Sequence, residues 1–114
     1  MVATQHLDRE ILEELRVVMG NEFSALLQTF IQDSTQRVAA VQQEFAIGNA
    51  VGLRAASHSF KGSSSNMGAG RLAHLCKQIE ELALAGDVAN CAPLVRDLET
   101  EFDAVKLDVE ALLV

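Results

Sequence analysis

The stretch from Ser57 to Gly68 reads SHSFKGSSSNMG. His58 is followed three residues later by Lys61, then by Gly62 and three serines. A neutral imidazole nitrogen is a good nucleophile toward phosphorus. A cation close to it favours the neutral base over imidazolium, and can then stabilise a phosphoryl group once that group is attached. These residue types at this spacing suit capture of a phosphoryl group. A phosphate-cradling loop is the competing reading of KGSSS. It fails on order, because a P-loop has Gly-Lys-Ser/Thr after an earlier glycine and a strand, whereas this stretch runs Lys-Gly-Ser with no strand before it.

Serine and glycine are mediocre helix formers, but periodicity overrides them here. At 100° per residue, Leu53, Ala56, Phe60 and Ser63 or Ser64 fall on one side as a core stripe. His58 falls on the opposite side with Val51, Arg54, Ala55, Lys61, Gly62 and Ser65. The histidine therefore faces outward from an amphipathic helix. Ala55 and Gly62, at i−3 and i+4, leave it uncrowded. A glycine inside a helix costs roughly 1 kcal/mol relative to alanine. Clearance for an approaching molecule is the physical reason available for that cost. Arg54 and Lys61 are placed to meet an anion carried by His58. The second ring nitrogen needs an acceptor to fix tautomer and orientation. On an antiparallel next helix turning at Gly68, the level of His58 falls near Gln78 to Glu80. Ile79 faces the core there, so Gln78 and Glu80 are both geometric candidates.

The elements around this helix are also helices. Asp8 can cap a first one, with Leu7 and Leu12 at the hydrophobic-staple positions and Gly20 as its stop. Asn21 can cap a second, whose apolar residues from Phe23 to Phe45 recur at three- and four-residue steps until Gly48. Its length would be roughly 25 residues, about 37 Å at 1.5 Å per residue. Asn49 can cap the third, which carries His58. A fourth has Leu72, Leu75, Cys76, Ile79, Leu82 and Ala83 on one face and stops at Gly86. The last carries Leu94, Leu98, Phe102, Val105, Val109 and Leu112. Pro93 fits its first turn, so it is expected to start near Asn90 after an irregular turn at 87–90. No strand pattern, repeat or linker occurs. The expectation is an all-α protein: an antiparallel four-helix bundle with an additional short N-terminal helix that caps it.

The totals agree with one domain spanning 1–114. The chain has 114 residues, 49% of them hydrophobic, enough for a real core. Apolar runs are far too short for a membrane span, and no signal pattern opens the chain, so a cytoplasmic protein is expected. Cys76 and Cys91 lie in apolar helical patterns and are expected to be buried thiols. No Cys or His spacing resembles a zinc site, so no metal is expected. The net charge of −7 argues against nucleic-acid binding. Its distribution says more. From Phe45 to Ile79 there are four cations, Arg54, Lys61, Arg71 and Lys77, and no acid, which leaves −11 on the rest of the chain. A positive island on an acidic protein suits docking of an acidic partner.

At His58-Ser59-Phe60-Lys61-Gly62-Ser63, followed by Gly68, the chain resembles a histidine-containing phosphotransfer (HPt) domain of bacterial phosphorelays. Phe60 replaces the family's usual leucine and keeps the position apolar. The likeness extends through Leu72, Leu75, Cys76, Ile79-Glu80 and Gly86-Asp87, and so covers nearly the whole chain. It implies that His58 accepts the phosphoryl group on Nε2, that Lys61 assists, and that Glu80 accepts from Nδ1. It gives Gly62 the role of clearance and Gly68 that of the interhelical turn. It further implies that the partners are response-regulator receiver domains and a sensor or hybrid histidine kinase, with the Mg²⁺ on the receiver and no cofactor on this chain. A monomeric carrier, not an autonomous enzyme, is expected.

A phosphate-independent helical adaptor is the alternative, and the complete His58, Lys61, Gly62 and Gly68 set argues against it. An autonomous kinase or phosphatase is not expected, because the chain has no nucleotide-binding motif and no catalytic metal cluster. Among the other candidates, His74 projects to a polar face and reads as a surface histidine, and His6 precedes the first cap and is expected to fray. Lys77 reads as general positive field. Ser63, Ser64 and Ser65 read as small-residue packing. Docking contacts are expected from Val51 and the first helix.

Overall fold

The structure is a computed structural model and describes residues 6–113. Residues 1–5, part of the stretch that lacks a signal pattern, lie outside the described residues. Five α-helices follow one another: α1 (Arg9–Met19), α2 (Phe23–Ala46), α3 (Ala50–Asn66), α4 (Gly70–Leu84) and α5 (Ala92–Leu112). The four long helices pack in the cyclic order α2, α3, α4, α5 and back to α2. No strand occurs among the described residues. This is the expected bundle with its short extra helix.

The side-chain caps predicted for α1 and α3 are formed. Asp8 accepts from the backbone N–H of Glu10 at 3.0 Å and of Ile11 at 3.4 Å. Asn49 accepts from the N–H of Gly52 at 3.1 Å. Leu7 and Leu12, the staple pair, are both buried. Asn21 does not cap α2. It lies inside a 3₁₀ turn, Gly20–Glu22, whose own bonds lead straight into the helix without a side-chain cap. A second 3₁₀ turn, Ala89–Cys91, delays α5 to Ala92, two residues beyond the expected start, with Pro93 in its first turn.

The core is continuous. Leu27, Val41, Leu53, Phe60, Leu72, Ile79, Leu98, Val105 and Val109 are fully shielded from solvent. Phe60 of α3 and Phe102 of α5 meet edge to face across the bundle, ring centres 6.5 Å apart at 71°. On α3 the buried stripe is Leu53, Ser57, Phe60 and Ser64. Ala56 and Ser63, expected on that stripe, are only half-buried. Ser57 can stand there because its hydroxyl donates to the carbonyls of Leu53 (2.8 Å) and Arg54 (3.2 Å). Cys76 and Cys91 are buried and free. Burial pushes the Cys76 thiol up to about 12 and raises that of Cys91. None of the described helices is long and apolar enough to cross a membrane.

Gly68 joins α3 to α4 with φ +75. Its carbonyl accepts the N–H of Asp8 at 2.8 Å. A Cβ here would stand 3.2 Å from Ile11 Cβ and 3.3 Å from the Asp8 carbonyl oxygen. Gly68 therefore does two things: it makes the turn and lets α1 sit directly on it.

Candidate functional site

α3 and α4 together build the site. With Phe60 locked in the core, the helical period turns His58 outward, and its side chain is 66% exposed. The Gly68 turn brings α4 back antiparallel, which sets Glu80 beside His58. Glu80 Oε2 lies 2.7 Å from His58 Nδ1, and Glu80 Oε1 accepts from Lys61 Nζ at 2.8 Å. The Glu80 side chain is only 14% exposed. One half-buried carboxylate thus holds both groups of the motif. Of the two geometric candidates, Glu80 makes this contact, and Gln78 has no hydrogen bond to His58 among the described residues.

The ammonium of Lys61 holds the Glu80 carboxyl below its ordinary value, with a smaller pull from His58 and against the opposing effect of burial. An ionised carboxylate only accepts hydrogen bonds. In the neutral ring, the proton facing Glu80 must therefore sit on Nδ1, and the lone pair on Nε2. No hydrogen bond to Nε2 occurs among the described residues. The arrangement presents a fixed, outward-facing nucleophilic nitrogen.

Val51, Arg54, Ala55, Gly62 and Ser65 share the exposed face of α3 with His58, as projected. A Cβ at Gly62 would meet nothing within 4 Å, so the space beside His58 is open. The positive island is weaker in space than in sequence. Lys61 is paired with Glu80, and Arg71 Nε lies 3.7 Å from Glu101 Oε1. Arg54 and Lys77 have no carboxylate partner among the described residues. Carboxylates from beyond the acid-free stretch reach back into it.

Two arrangements escaped the sequence reading. Arg37 of α2 donates to Ser59, the neighbour of His58, while also paired with Asp33. The Asp33–Arg37 pair has visible i,i+4 spacing, but its contact with α3 depends on helix register. His6 is not frayed. Its Nδ1 lies 2.8 Å from Glu101 Oε2, and Glu101 is 5% exposed. Nothing local signals that pairing, because the partners are 95 residues apart. His74 is exposed on α4. Among the described residues no group of three His, Cys, Asp or Glu side chains is placed to hold a metal.

The structure is thus an all-helical bundle that presents an exposed histidine with a carboxylate against its Nδ1. The family model of the Hpt domain matches residues 25–108. The chain belongs to the Hpt domain family, whose members carry phosphoryl groups in two-component relays and are not autonomous enzymes. The crystal structure of histidine-containing phosphotransfer protein B (HptB) from Pseudomonas aeruginosa PAO1 is similar at 39% identity, with a TM-score of 0.93 and 96% of each chain covered. The HPT domain of a sensor hybrid histidine kinase from Shewanella shares the fold at 18% identity and TM-score 0.80, covering 95% of this chain and 93% of that one. A putative histidine-containing phosphotransfer protein from rice shares it at 19% identity and TM-score 0.81, covering 99% and 83%. No curated protein sequence matches significantly.

Proposed function

We propose that His58 is the phosphoryl acceptor of this chain, taking the group from the aspartyl phosphate of one receiver domain and passing it to the aspartate of another. The observation that carries this reading is the Glu80 bond to Nδ1, which leaves Nε2 as the free nitrogen of an exposed ring. In the forward step the Nε2 lone pair forms the N–P bond as the acyl-phosphate O–P bond breaks, and the receiver's carboxylate leaves. The Nδ1 proton stays in place. Positive charge that develops on the ring is met by Glu80, so no proton has to move. The reverse step runs through the same groups.

Lys61 has three N–H donors and uses one on Glu80. The other two are available to the phosphoryl oxygens. Arg54, one turn before His58, adds field without a carboxylate to quench it. Gly62 gives the receiver its approach, beside Ala55 and Ser65. Val51, 78% exposed two turns before His58, and α1, with Val17 and Val18 exposed, supply apolar docking contacts. In this reading the bundle works as one monomeric cytoplasmic domain, fed by a sensor or hybrid kinase through receivers that bring their own Mg²⁺.

The test is transfer of ³²P from a panel of phosphorylated receivers. The wild-type protein is expected to take up label that is acid-labile and alkali-stable, as a phosphoramidate is. His58→Gln should take up none. Labelling of His58→Gln at the wild-type rate would refute the assignment.

A further inference from the structure

The contact that holds His6 has the same composition as the one that holds His58. A carboxylate, Glu101, receives a histidine Nδ1 on one oxygen and faces a cation, Arg71, with the other. It bridges three parts of the chain: the segment before α1, α4 and α5. Its location gives it a task. α1 has 11 residues and only Leu12 of them is buried. A helix that short is not stable by itself and depends on tertiary contacts. Its C-terminal end is tied to α2 by the Gly20–Glu22 turn. Its N-terminal end stands across a cleft of about 840 Å³ from α4 and α5, lined by Leu7, Ile11, Arg71, His74, Leu75 and Glu101. Leu7 and Leu12 anchor α1 to the core, and across the cleft, where packing is incomplete, polar bonds add to that hold. Those bonds are the Asp8 N–H to the Gly68 carbonyl and His6 to Glu101, whose other oxygen faces Arg71 of α4.

We propose that His6, Glu101 and Arg71 form a clasp that holds α1, and with it the exposed Val17 and Val18, in the position that a receiver domain docks on. The proposal rests on the receiver-docking reading above. It makes His6 and Glu101 positioning residues that do not touch the phosphoryl group. Loss of the clasp loosens the docking surface and leaves the His58–Glu80–Lys61 arrangement intact.

The test uses the full chain with His6→Ala, with His6→Asn, whose amide can reproduce the Nδ1 donor, and with Glu101→Gln. Amide hydrogen exchange is read helix by helix, receiver binding is titrated, and His58 is loaded with phosphoramidate as a small phosphodonor. In His6→Ala, exchange across α1 should rise about tenfold, the size expected for losing one charge-assisted bond, with α3 to α5 unchanged. The receiver Kd should rise roughly fivefold to tenfold on the same grounds. Phosphoramidate loading should stay at the wild-type rate. Glu101→Gln should repeat this pattern in α1, and His6→Asn should restore it toward wild type. Unchanged α1 exchange in His6→Ala overturns the clasp. Faster exchange with an unchanged Kd overturns its role in docking. Failure of every receiver to bind the wild-type protein would sink the carrier reading and the docking half of the proposal, while the exchange result still decides the clasp.

Discussion

Glu80 serves two neighbours with two oxygens, and the chemistry proposed for the site depends on its staying charged. Its carboxyl is held below the ordinary 4.5, chiefly by Lys61. A depressed folded value contributes stability above the unfolded value and loses it as pH falls through the folded one. The stability gap between wild type and Glu80→Gln, from urea unfolding, should therefore shrink as the pH falls below about 4.5. A gap that failed to shrink below about 4.5 would contradict the ionised Glu80. At neutral pH the same variant should slow transfer from a receiver about tenfold, matching the loss of one charge-assisted hydrogen bond of about 1.5 kcal/mol. His58, Lys61 and the outward face of α3 were readable in the residues themselves, because a helical period decides which side chains share a face. The choice between Gln78 and Glu80 was not readable from that period. Neither was the pairing of Lys61, which depends on how α4 is rotated against α3.

Helix α3 contains a residue that weakens it. Gly62 sits in its interior, and a Cβ added there would touch nothing within 4 Å. Gly62→Ala should therefore raise the unfolding free energy by up to about 1 kcal/mol, since alanine is the better helix former. The same methyl should slow phosphotransfer from a receiver while leaving phosphoramidate loading near the wild-type rate. A variant that is more stable and equally fast would show that clearance is not why glycine stands there. Element starts were legible where a side chain caps, as at Asp8 and Asn49. They were misread at Asn21 and Asn90, where 3₁₀ turns take up the free N–H groups that a cap would have served. The core stripe of α3 was misplaced by one residue at Ser57, and of the two serines offered for its last position it is Ser64 that is buried. Small serines fit on either edge of the stripe, and the packing of neighbouring helices selects between them.

At the scale of the whole molecule, long-range pairs change what the linear pattern suggests. The acid-free stretch from Phe45 to Ile79 carries four cations, yet Glu80 and Glu101 reach Lys61 and Arg71 from outside it. Among the described residues, the cations of that stretch without a carboxylate partner are Arg54 and Lys77. His6 likewise gains its place only through α5. What the bundle as a whole provides is a rigid frame, cored by Phe60 and Phe102, that holds one imidazole at its surface with Nε2 outward. NMR of ¹⁵N-histidine-labelled protein, before and after phosphotransfer from a receiver, tests that claim most directly. The account predicts that only the Nε2 resonance of His58 moves to a phosphoramidate position, with His6 and His74 unchanged. Phosphorylation at Nδ1 of His58, or at either of the other histidines, would contradict it.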